Sequence, residues 1–98
     1  MPKRLECTVY GKVHGVSYRE AIFQHARDLS LTGFVQNEPN DTVRIIAEGE
    51  ESVLKEFLLF LHAGSAFSKV ERVEEAWPPA TGEFKDFRIR FRNFFGQL

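Results

Sequence analysis

Apolar and polar residues alternate over Leu5-Glu6-Cys7-Thr8-Val9-Tyr10, with Leu5, Cys7 and Val9 on one side. A period of two is that of a half-buried β-strand, so a strand is expected there. Glycines at 11 and 15 then break the pattern into a loop. Ser17 with Glu20 three residues on has the spacing of a capping box, which predicts the start of a helix. Within it Ile22, Ala26 and Leu29 recur at i, i+4 and i+7, leaving Gln24, His25, Arg27 and Asp28 mostly outward. Gly33 closes the connection, and Phe34-Val35-Gln36-Asn37 reads as a second strand. Glu38-Pro39-Asn40-Asp41 is turn chemistry, because Pro sets φ while Asn and Asp tolerate the left-handed region. Val43, Ile45 and Ala47 alternate with Arg44, Ile46 and Glu48 in a third strand, which forms a hairpin with the second.

After Gly49 the residues Val53, Leu54, Phe57, Leu58 and Leu61 form a broad apolar stripe. They predict a second helix from about Ser52 to Ala63, with Gly64 placed to end it. Lys69 to Trp77 alternates imperfectly, as a strand with a bulge does, and Pro78-Pro79 ends it. Phe87, Ile89 and Phe91 alternate with Asp86, Arg88 and Arg90 in a fifth strand. The order is β-α-β-β-α-β plus a terminal strand, the split βαβ or ferredoxin-like pattern of the α+β class.

Composition narrows the class. Ninety-eight residues make one domain, with 13 Lys+Arg against 14 Asp+Glu and a net charge of −1. Apolar residues at 43% and charged residues at 28% exclude an intrinsically disordered chain. A chain of this size buries roughly 60–70% of its unfolded surface, enough for one core without staples. A single cysteine forbids an internal disulfide. No stretch reaches the roughly 20 apolar residues of a membrane span. Met1-Pro2-Lys3-Arg4 runs into strand-like sequence with no signal h-region, so a cytoplasmic protein is expected. The balanced charge argues against a nucleic-acid partner. An RNA-binding domain of this fold would also carry aromatics in a K/R-G-F/Y-x-F arrangement, and no such run is present.

The chemistry-bearing residues are few. Cys7, His14, His25 and His62 have neither CxxC nor HxxxH spacing, so no metal is expected. Cys7 shares the apolar parity of its strand and reads as a core thiol. His25 reads as a solvated helix residue, and His62 as a cation favoured near a helix C-terminus. The informative segment is Gly11-Lys12-Val13-His14-Gly15-Val16-Ser17-Tyr18-Arg19. It is a glycine-containing loop between a strand and a helix, where backbone N–H groups and the helix start can hold an anion. Arg19 lies in the first helical turn, which disfavours a cation. A bound oxyanion would explain it, since a guanidinium grips one bidentately; a plain βα turn with a solvent-facing Arg is the alternative. A strand-helix-strand crossover returns the second strand to the same rim, which brings Asn37 beside the loop. Asn37 either holds a water there or begins the turn before Pro39.

These residues together resemble the acylphosphatase family. The pattern G-x-V-x-G-V-x-[FY]-R is met by Gly11, Val13, Gly15, Val16, Tyr18 and Arg19. The match continues through Ala26, Leu29, Leu31, Gly33, Val35 and Asn37, then Val43, Gly49, Phe57, Gly64, Val70, Val73, Phe87 and Ile89. It spans about residues 5–91, leaving 92–98 as a tail with no family counterpart. The resemblance implies a two-layer sandwich with two helices on one face of a mostly antiparallel sheet. It implies hydrolysis of small-molecule acyl phosphates to a carboxylate and inorganic phosphate, without metal, cofactor or phosphoenzyme; a monomer is expected. It assigns phosphoryl binding to Arg19 with the amides of His14, Gly15, Val16, Ser17 and Tyr18, and positioning of the attacking water to Asn37. His14 stands where the family often has Gln, and Asn40-Asp41 where Asp-Gly is usual. A non-catalytic anion-binding module of the same fold is the rival reading.

Overall fold

Leu5, Cys7 and Val9 lie on β1 (Lys3–Lys12) with at most 1% of their surface exposed, as the alternation predicts. The structure is a computed structural model that describes residues 1–15 and 17–91; Val16 and the expected tail 92–98 lie outside the described residues. After β1 come α1 (Tyr18–Asp28), β2 (Thr32–Asn37), β3 (Val43–Gly49), α2 (Glu51–Ala63), β4 (Lys69–Ala76) and β5 (Phe87–Arg90). The strands form one sheet in the order β4-β1-β3-β2-β5, antiparallel except for the β2–β5 pair. The register sets Cys7 opposite Ile45, Ile45 opposite Val35 and Val35 opposite Ile89, so one apolar row crosses four strands. Tyr18, Ile22 and Ala26 of α1 and Leu54, Phe57 and Leu61 of α2 bury against that face. This is the expected two-layer ferredoxin-like sandwich.

Three local expectations shift and a fourth is met. β2 begins at Thr32, so Gly33 lies within the strand rather than closing the turn before it. The bulge expected in β4 is present: Tyr10 faces Arg72 and Gly11 faces Val70, which leaves Glu71 unmatched. β5 ends at Arg90, one residue short of Phe91. His25 is not simply solvated; its ring stacks on Phe60 of α2, with centroids 4.0 Å apart and planes within 6°. Pattern along one helix cannot show what a second helix presents to it.

Outward parity does not mean open solvent here. β4 and β5 occupy opposite edges, so the segment 77–86 must cross the whole sheet. It crosses the face away from the helices and covers Phe34 and Ile46, which are only 8% and 7% exposed. Phe84 meets Phe34 edge-on at 5.9 Å. Glu48, 4% exposed, accepts the Thr81 and Gly82 amides at 2.9 Å each and Arg4 Nη1 at 3.0 Å. Burial alone would raise the Glu48 carboxyl, but those amides and Arg4 outweigh it and hold the group below 4.5. The charged form therefore contributes stability that is complete above pH 4.5 and drains as pH falls through the lower folded-state value. Glu48→Gln is expected to lower unfolding stability by about 3 kcal/mol at neutral pH, since it turns donors toward donors. Urea titrations should show the gap from wild type narrowing below pH 4.5, the ordinary value of the group; a gap that stays constant into acid would show that Glu48 acts by shape alone.

Cys7 sits 1% exposed in the core. Burial, then the charge of Glu75, pushes its thiol up to about 12, so it holds no thiolate at neutral pH. Cys7→Ala is expected to cost on the order of 1–2 kcal/mol in stability while kcat stays near wild type. A thousandfold loss of kcat in the folded variant would overturn its assignment as a packing residue.

Candidate active site

The loop after β1 is pinned at its entrance by Gly11. A Cβ there would lie 2.1 Å from the Lys69 carbonyl oxygen, so only glycine lets β4 approach this closely. Farther on, Gly15 and Ser17 take left-handed conformations, with φ 68 and φ 62. Gly15 does so freely, whereas Ser17 gives up roughly 1–2 kcal/mol for lacking that freedom. Left-handed residues within a turn swing successive N–H groups toward one side, the geometry that holds anions.

That conformation also undoes the expected capping box. Ser17 is the N-cap of α1, yet its side chain makes no capping hydrogen bond. A capping hydroxyl reaches the first-turn amides from an extended backbone, not from the left-handed region. Glu20, the other half of the box, instead accepts Arg19 Nη2 at 3.3 Å. The start of α1 thus keeps its partial positive charge without a side-chain cap.

β1 and β2 both run antiparallel to β3, so their C-terminal ends share one rim of the sheet. There Gly15, Ser17, Arg19, Glu20 and Asn37 line a cleft of about 230 Å³, together with Val13 and Tyr18. The structure therefore brings Arg19 and Asn37 to one cavity with the loop. Arg19 Nε and Asn37 Oδ1 are both buried and both lack a hydrogen-bond partner among the described residues. An unsatisfied buried polar group costs about 1–3 kcal/mol. Here one is a donor on a cation and the other a neutral acceptor, and their residues line the same cleft. The donor suits an oxyanion, and the acceptor suits the O–H of a water.

Tyr18 anchors this side of the site. Its side chain is fully buried and its hydroxyl donates to the Leu61 carbonyl at 2.9 Å, tying the first residue of α1 to the end of α2. Burial pushes its phenol upward, so it stays protonated. His14 has a side-chain task that its place in the loop did not reveal. Its Nε2–H donates at 2.8 Å to the Thr42 carbonyl, which also accepts the Glu38 amide at 2.8 Å. Glu38 follows Asn37 directly, so the imidazole braces the loop against the turn that carries Asn37. Asp41 stands 3.9 Å from the other ring nitrogen and takes the left-handed conformation expected of this turn, φ 64. His62 is exposed and distant in sequence from this rim. Among the described residues no group of three or more His, Cys, Asp and Glu side chains gathers as a metal site. No described helix is long and apolar enough to cross a membrane.

A sequence model of the acylphosphatase family matches residues 5–89, from the first core residue of β1 into β5. The chain belongs to the acylphosphatase family. An acylphosphatase of Caldanaerobacter subterraneus subsp. tengcongensis is 37% identical over 89 residues, spanning 91% of this chain and 99% of that protein. One from Marinobacter nauticus is 46% identical over 85 residues, spanning 87% and 92%. The crystal structure of acylphosphatase from Bacillus subtilis superposes with a TM-score of 0.87 at 31% identity, covering 92% of this chain and 99% of that one. Family membership gives the reaction class, hydrolysis of acyl phosphates. Both matches span nearly the whole of the relative and take in the two-layer sandwich.

Proposed function

We propose that the cleft between the loop and the end of β2 is the catalytic centre and that Arg19 and Asn37 divide the work. The phosphoryl group of a small acyl phosphate sits at the start of α1, with its oxygens on Arg19 and on the amides of His14, Gly15, Val16, Ser17 and Tyr18. Asn37 Oδ1 accepts a hydrogen bond from the attacking water. The single observation that carries this reading is the pair of buried, partnerless atoms, Arg19 Nε and Asn37 Oδ1, on one cleft.

The water oxygen bonds to phosphorus as the bridging P–O bond breaks, and its electron pair leaves on the carboxylate. The water's proton passes to a phosphoryl oxygen, giving inorganic phosphate. Phosphoryl transfer asks mainly for alignment and charge stabilisation, which a rigid cradle and one guanidinium supply. A carboxylate whose conjugate acid has a pKa of about 4–5 leaves without protonation. No general acid is therefore required, in keeping with a cleft whose one carboxylate among the described residues, Glu20, is engaged by Arg19.

The test is release of phosphate from acetyl or benzoyl phosphate by the wild-type chain and by Arg19→Ala. Turnover by the first and none by the second supports the reading. Phosphate binding without turnover would mark a non-catalytic anion-binding module. Simple alkyl phosphates should be poor substrates, because an alkoxide needs a proton that no side chain among the described residues of the cleft is placed to give. Their kcat/KM is expected to fall below that of benzoyl phosphate by about 10²-fold or more, the scale of general acid catalysis. Equal values would reveal an acid group in the cleft.

A further inference from the structure

Phe91 directly follows β5 and continues its parity. Phe87 is buried and Ile89 packs partly against the core under the helices, and Phe91 is the next residue on that side. β5 runs parallel to β2, and the last paired residues are Gln36 and Arg90. The next residue on each strand is therefore Asn37 and Phe91, which reach the same rim together. The Phe91 ring lies 4.9 Å from the Arg19 guanidinium carbon, although the ring is 74% exposed. An aromatic ring this open owes little to the core. What it meets is the cation that lines the cleft.

We infer that Phe91 is a positioning residue for Arg19, which rests on reading Arg19 as the phosphoryl grip. A guanidinium donates only in its plane and is weakly hydrated on its faces. Phe91 meets the cation through its π face and carries no oxygen or nitrogen acceptor to compete with an oxyanion for the donors. Glu20 holds Nη2 at 3.3 Å, and the Phe91 ring stands 4.9 Å from the guanidinium carbon. Between them the fork is kept in one orientation beside the cleft before any anion arrives. Because the contact acts on the grip equally in the ground and transition states, its loss should appear in binding rather than in kcat. An exposed cation–π contact corresponds to about two- to five-fold in affinity.

The experiment compares Phe91→Leu, which keeps apolar bulk without a π face, with Phe91→Tyr, which keeps the face. Acetyl phosphate is the substrate, so that no aryl group of the substrate meets the ring. In Phe91→Leu the inhibition constant of inorganic phosphate and the KM are expected to rise about two- to five-fold, with kcat within about twofold; Phe91→Tyr should restore both. In the phosphate-free protein the Arg19 Nε–H proton should show a ring-current shift that Phe91→Leu abolishes and Phe91→Tyr retains. Unchanged phosphate inhibition in Phe91→Leu, or an Arg19 proton signal that ignores the substitution, overturns the inference. If the wild type does not turn over acetyl phosphate while phosphate binding and the Arg19 signal respond as stated, the catalytic reading fails and the role of Phe91 stands.

Discussion

Arg19→Ala should lose acyl phosphate turnover and inorganic phosphate affinity together. The guanidinium would make two charged hydrogen bonds to the phosphoryl group, each about 1.5–3 kcal/mol, so affinity is expected to fall by roughly 10²–10⁴-fold. The structure makes the loss worse than a missing contact. Glu20 lines the same cleft and is held by Arg19 Nη2 at 3.3 Å. Without Arg19 that carboxylate faces the anion unpaired and repels it. Arg19→Ala combined with Glu20→Gln should therefore bind phosphate better than Arg19→Ala alone. Arg19→Lys should also be poor, since a point charge cannot replace a planar fork. Phosphate inhibition or titration beside kcat measures all of these, and normal phosphate affinity in Arg19→Ala would remove Arg19 from the site.

Asn37→Ala should separate what Arg19→Ala loses together. The side-chain oxygen of Asn37 has no partner among the described residues, so its removal breaks no bond within the described fold. The variant is expected to melt near wild type and to bind inorganic phosphate almost normally. Its kcat should fall by roughly 10²–10³, the scale for losing one well-placed catalytic hydrogen-bonding group. Phosphate affinity lost as severely as in Arg19→Ala would make Asn37 a ligand contact or a structural turn residue. Full kcat in the variant would end the water-positioning role.

The difference between the two residues could be stated from sequence only as far as chemistry goes. A charged fork and a neutral amide in a glycine-marked context already indicate an anion and a water. That they line one cleft and each carry an unpaired atom is a property of the packed rim. Glu20 shows the limit most clearly. Its spacing from Ser17 predicts a capping box, but the loop forces Ser17 into φ 62, and the carboxylate turns to Arg19 instead. A helix start that a local pattern would close is left open by the path of the chain into it.

The seven elements, their order and the apolar face of each strand follow from periodicity, because side chains alternate every residue in a strand and recur every three to four in a helix. Strand parity alone placed Cys7 in the core, where it is 1% exposed. Sheet order was not encoded in that local pattern. The order β4-β1-β3-β2-β5 separates the last two strands and sends residues 77–86 across the second face. It thereby buries Glu48 and Ile46, whose outward parity promised solvent. The same order sets β5 beside β2 in parallel and brings Phe91 to Asn37 and Arg19. Periodicity fixes which way a side chain points relative to its own strand. What stands in front of it depends on contacts between segments far apart in the chain, and only the folded sheet decides those.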